Sequence, residues 1–117
     1  MSESNGYVTR DELFGKPTQR RFRDVVVQGK KFRLRSLTAG ELNPWAAKSQ
    51  DVDGAATAGP RLIVLMVVNG DGQRVFSDTD VKLWLDQDAA FVAELARCCQ
   101  EHSGQLTEAD TEDVEKN

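Results

Sequence analysis

The chain has only two cysteines, and they are adjacent, Cys98 and Cys99. Neighbouring thiols cannot form the cross-linked framework on which small secreted domains rely. The longest apolar run, Leu62 to Val68, is seven residues. A membrane-spanning helix needs about 20. The stretch MSESNGYVTRDELFG holds no apolar h-region, which predicts no secretory signal. A reduced, cytosolic protein is therefore expected. Aromatic residues are scarce, 7% of the total, and apolar residues make up 39%. The predicted core is modest, with part of the chain outside it. There is no excess of positive charge either. Lys and Arg number 15 against 19 Asp and Glu, net −4, which disfavours a generic nucleic-acid binder. A length of 117 residues allows one domain of ordinary size.

The charge that is present is unevenly placed. Residues 1–60 carry ten Lys and Arg against seven Asp and Glu, and residues 61–117 carry five against twelve. Within 16–35 the only acid among eight basic residues is Asp24. The end of the chain, TEADTEDVEKN, holds too little apolar surface to offset its ordering entropy. Residues 105–117 are read as a disordered acidic tail, and residues 1–15 as a loosely held leader.

Between them lies a patterned domain. Phe22–Val27 and Lys31–Leu37 flank Gln28-Gly29-Lys30, and Gly29 supplies the positive φ of a tight hairpin turn. Phe32 and Leu34 alternate with Arg33 and Arg35, which puts the first pair toward the core and both arginines in water. Thr38 and Glu41 form a capping box, with Leu37 and Leu42 at the staple positions. Pro44 predicts a kink or restart before a short helix through Trp45–Lys48. Asp51–Gly59 reads as a flexible connection without an anchor. The run after Pro60 fits a buried strand or a buried helix, and the helix is favoured by its flanks. Asn69–Gly72 is a turn, Arg74–Phe76 a short extended piece, and Ser77 with Asp80 a second capping box. Asp88 starts a last helix whose apolar face is Phe91 or Val92, Leu95, Ala96 and Cys99, and Gly104 stops it.

No constellation of catalytic residues stands out. Cys98, Cys99 and the single histidine, His102, share a helical face, yet a structural zinc site wants four ligands. They read as core or boundary thiols beside a solvated histidine. Asp78, Asp80, Asp86 and Asp88 are explained by helix capping. Asn69–Gly72 lacks the remaining ligands of a calcium loop. No phosphate-binding loop, dinucleotide fingerprint or nucleophile elbow occurs. The chain is read as a non-enzyme with no catalytic, cofactor or metal residues. Trp84 is expected in the core. Trp45, beside the proline and the flexible connection, is the better interface candidate, and its loss is expected to weaken binding more than stability. The partner surface is placed at Trp45 and Leu42 and along the last helix's apolar side, with Arg33 and Arg35 as a charged rim.

The order of features resembles the tail assembly chaperones of long-tailed, siphovirus-like phages and prophages. The resemblance covers residues 12–117 and rests on loose patterns. KKFRLR leads into Leu37-Thr38-Ala39-Gly40-Glu41, and a turn with Asp71-Gly72 and then Phe76 precedes the helix pair that ends at HSGQLTEADTEDVEKN. It implies a non-enzymatic, cytoplasmic protein of the bacterial host that binds the tape-measure protein and keeps it soluble while tail-tube subunits polymerise around it. Contact with the tail-tube protein and a programmed frameshift near Lys116-Asn117 are further implications, and self-association is left open. A structural virion component of terminator or connector type, and a nucleic-acid-binding module using the basic hairpin, are the alternatives. The fold expected is α+β: a small helix-dominated domain, residues 16–104, with an N-terminal β-hairpin packed on three or four short helices.

Overall fold

A computed structural model describes residues 6–16 and 19–104 of the chain. The fold is α+β, with an N-terminal hairpin extended to a three-stranded antiparallel sheet and covered by helices. The acidic segment 105–117 lies outside the described residues.

The hairpin joins β1 (Phe22–Val27) to β2 (Lys30–Arg35) in the register Val25↔Phe32 and Val27↔Lys30. Its two-residue loop places both Gln28 (φ 52°) and Gly29 (φ 81°) in the left-handed region. That geometry matches the twist of the flanking strands, and Gly29 adopts it without steric penalty. The strand β2 ends at Arg35, two residues short of the predicted limit.

The leader is not featureless. A short helix, α1 (Arg10–Gly15), is closed at its start by Thr9 and Glu12, each side chain accepting from the other's backbone N–H. None of its residues is buried.

Helix α2 (Ala39–Lys48) starts at the predicted Thr38–Glu41 capping box. It runs through Pro44 without interruption. The proline removes the donor that Gly40's carbonyl would have received, but Gly40 and Pro44 are both exposed, so water can serve that carbonyl. The predicted restart does not occur.

The connection 51–59 is also more ordered than predicted. It contains α3 (Val52–Ala56) and the start of α4 (Ala58–Met66). Gly54 is buried under α2, where a Cβ would overlap the Lys48 carbonyl. Small residues here permit close approach, and the anchors come from neighbours: Trp45 donates its indole N–H to the Ala58 carbonyl (2.8 Å), and Arg61 donates to Gly54 (2.7 Å).

Two readings of 61–68 were open, and each holds for part of it. Leu62–Met66 is helical, and Val67–Val68 is β3, paired with Leu34 and Arg33 of β2. The β-branched pair supplies a third strand that periodicity could not separate from the helix before it. Arg74 bridges back to Val68. A 3-10 turn (Asp78–Asp80) leads into α5 (Val81–Trp84), and α6 (Ala89–Ser103) follows, with Asp88 accepting from the Phe91 N–H at its start and Gly104 left-handed at its end. The core lies between α4, α6 and the inner sheet face, around Val27, Leu34, Leu62, Ile63, Met66, Leu95 and Cys99.

Candidate protein-binding site

Both arginines of β2 were expected in water; Arg33 stays on the outer face, but the structure uses Arg35 inside. A helix leaves its last four carbonyls unpaired and its C-terminus partially negative. Helix α4 ends in Leu65-Met66-Val67, with no glycine or basic side chain of its own there. Arg35 Nε donates to the Leu65 carbonyl (2.8 Å) and Arg74 Nε to the Val64 carbonyl (2.9 Å). Arg21 caps α6 at His102 (2.9 Å), and Arg61 caps α3 at Gly54. Four arginines thus terminate three helices. At α4 the missing local cap was the signal available in the sequence, but it did not say which arginine would answer.

Arg35 is consequently only 13% exposed at its side chain, a correction to the alternation argument. Burial, followed by repulsion from Arg20, lowers its pKa. Arg20 grips Glu41 through two bonds of 2.8 and 2.7 Å, a fork-to-fork pair. Chiefly through that bond, the Glu41 carboxyl is held down at about 2. Arg33 sits on the outer sheet face, bonded to Asp24 at 2.9 Å, which lowers the Asp24 pKa.

His102 is a second correction. It is buried, and its Nε2 donates to the Arg21 carbonyl (3.0 Å). With Arg21 donating to the His102 carbonyl, the two residues clamp the end of α6 to the start of the hairpin. Cys99 is fully buried, and burial, reinforced by Cys98, pushes its thiol up to about 12. Such a thiol is inert at neutral pH. Among the described residues no three His, Cys, Asp or Glu side chains gather as a metal cluster.

The four proposed contact residues do not form one surface. Trp45 is buried, and Leu42 is half-buried against the core. Trp45 and Leu65 line a hollow of about 470 Å³ whose other walls include Glu41, Lys48, Arg61 and Asp78. Arg33 borders a different depression with Asp24 and Lys31. Phe22, the first residue of β1, is half exposed and lies over Gly72.

A second, strongly apolar hollow was not foreseen. It is an open cleft of about 460 Å³ between the hairpin and α5–α6, walled by Phe32, Phe76, Leu83, Trp84 and Phe91. Four of these side chains form a continuous run of ring contacts. Phe76 meets Trp84 edge-on at 5.2 Å, Trp84 lies over Phe91 at 6.0 Å, and Phe91 reaches Phe32 at 6.0 Å. Such contacts fix the rings as a rigid wall. Lys30 stands on the rim with Asp80 and Gln87. Leu83 is 58% exposed at the mouth, and Leu85 next to it is 53% exposed. The sequence showed the aromatics singly; only the packing of β2 against α6 brings them together.

The chemistry of this cleft is recognition of apolar side chains. A rigid aromatic wall with a polar rim can hold leucine-sized or aromatic groups projecting from one face of a helix. Comparison with protein-family models, with curated proteins and with solved structures returned no match for the chain. Among the described residues no helix is long and apolar enough to cross a membrane.

Proposed function

We propose that the chain is a non-enzymatic, cytoplasmic tail assembly chaperone of a long-tailed phage or prophage, which holds the tape-measure protein soluble before the tail tube encloses it. The observation that carries the reading is the aromatic cleft. A long helical client exposes a repeating apolar stripe, and the Phe32–Trp84–Phe91 wall can receive consecutive residues of that stripe at i and i+3 or i+4 spacing. Lys30 and Asp80 on the rim supply charges of both signs for the client's polar flanks. The sequence resemblance supports the same reading. In the basic stretch itself, Arg21 and Arg35 are bonded to helix-end carbonyls, which leaves fewer cations for a nucleic acid.

Co-expression with the neighbouring tape-measure protein, followed by size-exclusion chromatography, tests this. The expected result is a soluble complex, with the tape-measure protein precipitating when expressed without its partner. Leu83→Asp is expected to abolish the complex while leaving thermal unfolding unchanged. A tape-measure protein that stays equally soluble alone would remove the chaperone reading. Finding the chain in finished particles would favour the virion-component alternative.

A further inference from the structure

The hollow beside Trp45 collects positive charge in an otherwise acidic chain. Lys48 and Arg61 lie in its wall. Arg20 and Arg35 contact Glu41, and Arg74 contacts Asp78, the two acids of that wall. Five cations against two anions leave a local charge of +3, although the whole chain carries −4. The crowding registers electrostatically, since both Arg20 and Arg74 disfavour the charge on Arg35.

Donors remain open there. Arg61 is fixed by bonds from Nε to Thr57 and from Nη2 to Ser49 and Gly54, so its plane is set and Nη1 has no acceptor among the described residues. Lys48 has none either among the described residues. A preset guanidinium beside an ammonium, over a floor of Trp45 and Leu65, suits a carboxylate on a short peptide.

We propose that this hollow is a carboxylate-binding site and that its occupant is the acidic segment Glu108–Glu115 of the same chain. That segment supplies Glu108, Asp110, Glu112, Asp113 and Glu115 with no basic residue among them. Its point of departure is close by. Helix α6 ends where His102 is clamped to Arg21, and Arg20, the next residue, holds Glu41 at the wall of the hollow. Four residues beyond Gly104 can span about 14 Å and the eleven to Glu115 more than twice that, so the later acids have the greater range. Each contact is weak alone, but five carboxylates tethered to a net-positive patch act at high effective concentration.

The test is carbodiimide cross-linking of the full chain, which joins a carboxylate to a lysine, read by peptide mass spectrometry in a mixture of light and heavy-isotope protein. The expected result is same-chain cross-links from Lys48 to the segment, several-fold above those from Lys30, Lys31 or Lys82 and suppressed by 0.5 M NaCl. A variant with all five acids changed to Gln or Asn is expected to shift the Arg61 Nε–H resonance in NMR spectra. Cross-links no more frequent at Lys48 than at the other lysines, or Arg61 resonances unmoved in the variant, would overturn the proposal. Cross-links confined to light–heavy pairs would overturn it by assigning the site to a second copy. None of these failures touches the chaperone reading, because the two hollows share no lining residue.

Discussion

Two hollows of nearly equal volume, about 470 and 460 Å³, flank this small core, and each is built on a tryptophan that is 7% exposed. The resemblance stops there. Trp45 is tied by its indole N–H to the Ala58 carbonyl and looks out on charged groups. Trp84 is held by rings on both sides and has no such bond among the described residues. Equal burial therefore conceals unequal roles. One indole fastens a loop-like connection to the core; the other forms part of a wall. What a hollow recognises follows from its neighbours' chemistry, and size says little about it.

Substitutions can break or sharpen this contrast. The largest effect is expected from Trp84→Ala, which removes the centre of the ring stack and should lower stability by about 3–5 kcal/mol, measured by urea unfolding. If the loss is under about 1 kcal/mol, the rings are not a coupled wall. Glu41→Gln comes next. The carboxyl is held at about 2 against an ordinary 4.5, so the folded state favours its ionised form. That contribution is complete well above pH 4.5 and is lost as pH falls toward 2; the full difference is about 3 kcal/mol, which solvent screening of the part-exposed carboxyl reduces to about 2 kcal/mol. The variant should be less stable at pH 7 by about that much and should show a flatter decline between pH 4.5 and 2. An unchanged acid profile would mean that the Arg20 fork contributes nothing. Trp45→Phe keeps the ring but strands the Ala58 carbonyl, and about 1 kcal/mol should be lost. The smallest stability effect belongs to Leu83→Asp, within about 0.5 kcal/mol, because Leu83 is exposed. Its consequence should appear in partner binding alone.

Local chemistry was readable from the residues; assembly was not. The hairpin turn at Gly29 and the starts of α2 and α6 were legible because a cap or a turn is settled within four residues. The switch from helix to strand at Val67 was not placed because the choice depends on β2, more than thirty positions earlier. Pro44 misled because the rule against it assumes that the orphaned carbonyl is buried, and Gly40 is in solvent. The alternation in β2 correctly sent Leu34 inward, but it could not show that the other face of the sheet is also occupied at Arg35, by the end of α4. The candidate site suffered most. Phe32, Phe76 and Phe91 come from three segments, and no spacing rule joins them.

The clamp between Arg21 and His102 links positions 81 residues apart in the chain. On a ribosome adding about 5–20 residues each second, the second partner is made roughly 4–16 s after the first. Throughout that interval the hairpin's apolar face lacks α6, its main cover, and a two-stranded ribbon is barely stable alone. The domain should therefore mature late and in one cooperative step. Nascent chains halted before residue 95, which lack the Leu95–His102 turns, are expected to remain protease-sensitive along their whole length.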